Sequence, residues 1–190
     1  MTDMKRVTPG KLLWLDLEMT GLNPAKDKIL EVAAVVTDWN FNELEHFESG
    51  VKQNKQEVEL LLAANPFAVA RPVESAELVE FSQKGVNERE AEDILIKLID
   101  KHFKSGEPAL LAGNSIHMDR QFIRSYWSRL EARLHYRMLD VSAWKVLMIG
   151  KYDVQFDKQE THRALSDIKE SIAELQYYLH YFGAEDNVNS

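Results

Sequence analysis

Two carboxylates, Asp16 and Glu18, lie in and directly after an apolar segment of the chain, residues 11–17 (KLLWLDL). Such a segment is typical of a buried strand, in which residues i and i+2 project from the same face. Neighbouring anions in apolar surroundings repel each other and lose hydration unless a cation lies between them. The pair therefore favours a metal site. On this pair alone, a strand end with both carboxylates in water stays open as the alternative.

Three further acidic or basic side chains have ordinary structural explanations when each is taken alone. Asp119 follows a short apolar run at the start of a predicted helix, where the helix dipole favours a carboxylate. His162 and Asp167 lie at the start of the last predicted helix, and a spacing of five places them about 140° apart. They converge on one site only if His162 lies in the preceding loop. An exposed histidine and a solvated aspartate are the alternative.

The composition limits which metal such a site can hold. The 190 residues contain no cysteine, so carboxylates or histidines must bind any ion. Oxygen ligands favour hard cations such as Mg²⁺ or Mn²⁺. A formal net charge of -8 argues against a broad basic surface for long nucleic acid duplexes. The chain has neither a membrane-spanning apolar run nor the apolar core of a signal peptide, so we expect a cytoplasmic protein.

The elements that must position these residues form an α/β pattern. Apolar runs predict strands over 11–17, 29–37, 41–51, 109–113 and 136–141. Periodicity predicts helices over 56–64, 88–103, 142–148 and 163–181, with one more after Asn114 and Ser115. Two prolines predict a loop near the site over 66–76. We expect one domain over 1–190, with a core over 11–182 and flexible tails at 1–10 and 183–190. The element order predicts a mixed five-stranded sheet flanked by helices.

Three segments together resemble the motifs of the DEDD exonuclease superfamily. They are LDLEMTGL at 15–22, GNSIHMD at 113–119 and HRALSD at 162–167, the last in the variant with a histidine five residues before an aspartate. The similarity to the oligoribonuclease family is closer still and covers most of residues 11–182. It implies a ribonuclease-H-like fold, a homodimer and hydrolysis of very short single-stranded RNA, down to dinucleotides, from the 3′ end.

The same resemblance implies roles for individual residues. The ligands of two divalent cations, Mg²⁺ or Mn²⁺, would be Asp16, Glu18, Asp119 and Asp167. The general base that takes a proton from the attacking water would be His162. The substrate contacts would be Leu22 between the bases, a 5′-phosphate cap of Ser115, Arg137 and Ser142, and Tyr136 from the other subunit. A surface charge at Arg137 and a helix N-cap at Ser142 are the alternatives.

The chain departs from the family pattern between residues 61 and 76. The family usually has an aromatic residue, commonly tryptophan, followed by a histidine, and LLAANPFAVARPVESA contains neither. Phe67 and Arg71 are the candidates for stacking and phosphate contact. Two other functions stay open: an exonuclease of the same chemistry that acts on longer 3′ ends, of the proofreading or tRNA-trimming type, and a non-catalytic nucleic-acid-binding scaffold that keeps the fold.

Overall fold

The computed structural model describes residues 10–157 and 163–183. Its strands are β1 Leu12–Met19, β2 Ile29–Thr37, β3 Glu43–Lys52, β4 Val86–Asn87, β5 Ala109–Gly113 and β6 Leu134–Asp140. Its helices are α1 Lys55–Ala63, α2 Pro66–Val69, α3 Pro72–Lys84, α4 Glu88–His102, α5 His117–Tyr126, α6 Ser128–Glu131, α7 Val141–Tyr152 and α8 Ala164–Tyr181. None of the helices within these two described ranges could cross a membrane. The predicted tails lie almost wholly outside them.

The strands form one mixed sheet in the order β4-β3-β2-β1-β5-β6. The first three strands pair antiparallel as a meander, and β5 and β6 continue the sheet parallel to β1. The predicted α/β class and mixed sheet are confirmed. The predicted count of five strands was wrong, because β4 has two residues and pairs parallel with the end of β3. A strand that short leaves no period in the sequence.

The side chains of β1 alternate between two apolar cores, one on each face of the sheet. Three of them join α4 and α5 in the first core: Leu13, Leu15 and Leu17. Leu12 and Trp14 join the second core, to which α8 contributes Ala164 and Ile168. By the same alternation, Asp16 and Glu18 continue the face that α8 covers. The strand thus buries its apolar residues on both faces and ends with two carboxylates beside α8.

The loop predicted over residues 66–76 was wrong, because two helices begin there. Pro66 occupies the first turn of α2, and Pro72 that of α3. Proline is favoured at this position, since its missing N–H has no partner in the helix and its φ is already helical. The side chain of Asn65 caps α2 by accepting a hydrogen bond from the backbone N–H of Phe67 at 3.0 Å. The prolines therefore start helices here.

Candidate active site

Three carboxylates meet where β1 passes under α8. One oxygen each of Asp16, Glu18 and Asp167 lies within 4.8 Å of the other two, and all three side chains are half-buried. Asp167 belongs to the first turn of α8, which packs on this face through Ala164 and Ile168. We call these three residues the carboxylate cluster. Its oxygens are the ligand type that Mg²⁺ and Mn²⁺ prefer.

The carboxylate cluster is electrostatically unfavourable without a cation. The pKa of Glu18 is raised from its ordinary 4.5 to about 7, first by burial and then by the charges of Asp167 and Glu31, against the opposing charge of Arg163. A raised pKa means that the ionised form is destabilised at neutral pH. A divalent cation between the carboxylates would reverse this effect. The residues present therefore fit a divalent cation.

Asp119, the fourth predicted ligand, approaches the same end of β1 from the other face of the sheet. It lies in the first turn of α5, is almost fully buried, and accepts a hydrogen bond from the backbone N–H of Leu17 at 3.0 Å. Leu17 is the residue between Asp16 and Glu18. Burial raises the pKa of Asp119, and the charge of Glu18 adds to the increase. Asp119 is thus fixed beside the carboxylate cluster but is not one of its three members.

His162, the predicted general base, lies outside the described residues. The residue that follows it, Arg163, is described and directly precedes α8. The Nε of Arg163 donates to both carboxylate oxygens of Glu31, at 3.3 and 3.1 Å. Burial raises the pKa of Glu31 and the neighbouring guanidinium lowers it. The chain is therefore anchored to β2 immediately after His162.

Leu22 lies on a loop that is held by one buried carboxylate. Asp27 accepts hydrogen bonds from the hydroxyl of Thr20 at 3.1 Å and from the backbone N–H of Asn23 at 2.9 Å. A Cβ at Gly21 would lie 2.6 Å from Asp27 Oδ2, so a larger residue there would displace this carboxylate. The side chain of Leu22 is 70% exposed. It lines a groove of about 710 Å³ that also reaches Glu18.

Another part of the groove wall is formed by the segment that departs from the family pattern. Phe67 lines the groove and is 56% exposed. The guanidinium carbon of Arg71 lies 3.8 Å from the centroid of the Phe67 ring. Asn65 fixes this wall to the loop of Leu22, because its side-chain nitrogen donates to the Thr20 carbonyl at 2.9 Å. The two candidates from sequence thus form one stacked pair at the groove.

Two of the predicted phosphate-cap residues, Ser115 and Ser142, are in direct contact. Their hydroxyl oxygens lie 2.8 Å apart, and the hydroxyl of Ser142 donates to Asn114 Oδ1 at 2.6 Å. Oδ1 of Asp140 accepts the backbone N–H groups of Ser115 and Ser142 at 3.0 and 2.9 Å. The N-cap of α7 is therefore Asp140, and the alternative of Ser142 as N-cap was wrong.

Asp140 and Asn114 are the residues of this network that the sequence interpretation missed. An aspartate directly before a helix is a known capping signal and could have identified Asp140. Asp140 also holds Ser115 in a left-handed conformation, with φ of 51°, which directs its N–H toward the end of β6. The two serines are thus held in place by side chains at the ends of two parallel strands, β5 and β6.

Tyr136 and Arg137 lie on β6 and point into solvent. The Tyr136 side chain is 72% exposed. The guanidinium carbon of Arg137 lies 5.2 Å from the centroid of the Tyr136 ring. Within the described ranges the structure thus joins Arg137 to Tyr136 rather than to the two serines. The role of all three residues as a phosphate cap stays a prediction.

Comparison with known proteins identifies the class first. The RNase_T family model, described as an exonuclease, matches residues 13–175. The zinc-bound E. coli ExoI–ssDNA complex has a similar fold, with a TM-score of 0.64, 17% identity, and coverage of 92% of this chain and 41% of that one. Exonuclease I from Methylocaldum szegediense gives a TM-score of 0.59 at 17% identity, covering 90% and 40%. The family model defines the class of the protein, an exonuclease, and the solved structures show the fold.

Closer relatives narrow the family. The oligoribonuclease of Corynebacterium glutamicum strain R is 46% identical over 177 residues, which cover 90% of this chain and 80% of that protein. The oligoribonuclease of Tropheryma whipplei is 41% identical, covering 92% and 95%. That of Escherichia coli O157:H7 is 40% identical, covering 91% and 96%. The chain belongs to the oligoribonuclease family.

Proposed function

We propose that this chain is a 3′-to-5′ exoribonuclease that hydrolyses very short RNA, down to dinucleotides, to 5′-mononucleotides. The observation that carries the proposal is the carboxylate cluster of Asp16, Glu18 and Asp167. One of its members, Glu18, lines the same groove as Leu22 and Phe67. Family membership supports the same reaction.

Two divalent cations, Mg²⁺ or Mn²⁺, are the cofactors that we propose for the carboxylate cluster and Asp119. When bound, such ions clamp the attacking and leaving oxygens of an in-line displacement at phosphorus. The chain contributes the negative charge that holds them, and the raised pKa of Glu18 shows how unfavourable that charge is alone. His162 is proposed to take the proton of the attacking water, since imidazole titrates near neutral pH.

The substrate contacts that we propose follow from the walls of the groove. Leu22 and Phe67 would contact the two bases, because both side chains are exposed and line the same groove. Ser115 and Ser142 would bind the 5′ phosphate, with Arg137 closing the site. Since β1, β5 and β6 are parallel, Ser115 after β5 and Ser142 after β6 lie at the same end of the sheet as the carboxylate cluster. A phosphate cap that binds the 5′ end of a dinucleotide would exclude longer RNA strands.

A length series tests this function. Rates would be measured on RNA of two, five and twenty nucleotides with Mn²⁺, and we expect kcat/KM to be highest for the dinucleotide. A flat profile, or a preference for the longest strand, would instead support an exonuclease that acts on longer 3′ ends. Binding of Mn²⁺ without hydrolysis of any length would support the non-catalytic scaffold.

We propose that the protein acts as a homodimer through α7. This helix is apolar on nearly all sides, and three of its apolar residues are exposed: Val146 by 74%, Leu147 by 46% and Ile149 by 41%. A surface helix of this kind is typical of an interface. Tyr136, which precedes α7 on β6, would then reach the partner's site. Light scattering tests this proposal, because Val146→Glu should convert a dimer into a monomer, and a monomeric wild type would contradict it.

A further inference from the structure

Glu31 is a fully buried carboxylate on β2 that stands directly opposite Glu18 in the antiparallel register. Residues opposite each other in such a pair project from the same face of the sheet. Glu31 therefore lies on the face covered by α8, beside the carboxylate cluster, although it is not one of its members. A buried charge in an otherwise apolar strand requires partners.

The partners of Glu31 are the first residues of α8. Its Oε1 accepts the backbone N–H of Ala164 at 3.3 Å, and both of its oxygens accept from Arg163 Nε. Ala164 is the first residue of α8, so its N–H has no acceptor within the helix. Arg163, the N-cap residue, makes no capping hydrogen bond with its own side chain. Glu31 thus caps α8 from a neighbouring strand.

Arg163 extends this anchor to two more elements. Its Nη2 lies 3.8 Å from Glu48 Oε1 on β3, and its guanidinium lies 4.4 Å from the centroid of the Phe81 ring on α3. The start of α8 is therefore fixed relative to β2, β3 and α3 together. One turn further along, the backbone N–H of Asp167 bonds to the Arg163 carbonyl at 2.9 Å.

We infer that Glu31 is a positioning residue for the reaction, an inference that rests on the proposed function. Glu31 holds Arg163 and Ala164 and so fixes the start of α8 relative to β1. This position of α8 in turn places Asp167 beside Asp16 and Glu18. Glu31 also fixes the chain directly after His162. A displacement of about 1 Å at a reacting group can lower a rate by about 10²-fold. Glu31 thus acts through Asp167.

Glu92 on α4 provides a matched control, because it is built in the same way on the other face of the sheet. It is almost fully buried and accepts the backbone N–H groups of Arg129 and Leu130 at 2.9 and 3.1 Å. It also accepts from Arg129 Nε at 2.9 Å. Glu92 therefore anchors the start of α6 as Glu31 anchors the start of α8, but on the face of the sheet that α8 does not cover.

The experiment compares Glu31→Gln with Glu92→Gln in melting temperature, in kcat and KM on a dinucleotide, and in Mn²⁺ affinity by calorimetry. Both variants should lose similar thermal stability. Only Glu31→Gln should lower kcat, by about 10- to 100-fold, as is typical for residues that orient metal ligands. Its KM should stay within about twofold, since the groove is unchanged. Equal kcat and Mn²⁺ affinity in the two variants would show that Glu31 is only structural.

Arg163→Gln provides a second variant if Glu31→Gln does not fold. The Arg163 side chain is 41% exposed, so its replacement should destabilise the fold less. Arg163→Gln should lower kcat in the same direction, and the double variant should be no worse than the poorer single one. If the wild type does not hydrolyse dinucleotides, the proposed function fails. The Mn²⁺ titration then still decides the role of Glu31, because an affinity unchanged from wild type in both Glu31→Gln and Arg163→Gln would contradict it.

Discussion

The carboxylate cluster and the groove walls are held in place by different means. The cluster side chains stand on β1 and α8, whose apolar residues form a buried core between them. The wall residues Leu22 and Phe67 are exposed, and polar side chains hold their backbone segments. The groups proposed for chemistry are thus fixed by the core, whereas the groups proposed for substrate choice are fixed by a few hydrogen bonds. Substrate preference can therefore change without loss of the fold.

The largest effect is expected from the carboxylate cluster. Glu18→Gln removes a proposed metal ligand. Metal ions contribute several kcal/mol of stabilisation to the transition state, and the loss of this stabilisation corresponds to a decrease in kcat of about 10³-fold or more. Steady-state kinetics on a dinucleotide measure it. Glu80→Gln, an exposed glutamate on α3, is the control and should keep wild-type activity. Comparable activity in the two variants would show that the carboxylate cluster takes no part in the reaction.

His162→Ala should give the next largest effect. Loss of a general base lowers kcat by about 10²- to 10⁴-fold. Mn²⁺ affinity should stay nearly unchanged, since the proposed ligands are carboxylates. This pattern would distinguish a proton acceptor from a ligand. Turnover equal to that of the wild type would remove His162 from the mechanism, and loss of Mn²⁺ binding would reassign it as a ligand.

A smaller effect, confined to substrate affinity, is expected at the groove wall. Phe67→Ala should raise KM for a dinucleotide by about tenfold, because stacking of one base on an aromatic ring contributes about 1–3 kcal/mol. Neither Mn²⁺ affinity nor melting temperature should change. Val69→Ala, on the same short helix and also exposed, is the control. An unchanged KM in Phe67→Ala would show that this wall does not contact the bases.

The smallest effect is a pH dependence of stability in metal-free protein. The pKa of Glu18 is raised in the folded state, so folding binds a proton and stability falls as pH rises from 4.5 to about 7. Asp119 contributes with the same sign. Between pH 5 and pH 8 the melting temperature of the wild type should therefore fall by a few degrees more than that of Glu18→Gln. Parallel curves for the two proteins would contradict the electrostatic description of the cluster.

The sequence predicted the carboxylate cluster better than the groove wall, for a physical reason. The alternation of β1 places Asp16 and Glu18 on one face whatever the remainder of the chain does. In contrast, α2 has four residues, too few for a helical period, and its proline resembled a helix breaker. Both the strand and the short helix leave local patterns in the sequence. Only the pattern of β1 extends over enough residues to predict the element.

Glu31 could not be assigned from sequence because its partner lies 132 residues away. A glutamate within the apolar run ILEVAAVVT is a sign of a buried charge that needs compensation, but the sequence interpretation did not use it. Nothing local identifies Arg163 as that partner, since the pairing depends on how α8 crosses β2. Asp140, by contrast, precedes its helix directly, so a local capping signal was present and was overlooked.

The most direct test of the carboxylate cluster as the reactive centre is the position of Mn²⁺ in crystals grown with a non-hydrolysable dinucleotide. Anomalous scattering should place Mn²⁺ among the oxygens of Asp16, Glu18 and Asp167. The scissile phosphate should lie beside the ion, and the 5′ phosphate at Ser115 and Ser142. Mn²⁺ bound elsewhere, or a dinucleotide outside the groove of Leu22 and Phe67, would contradict the account.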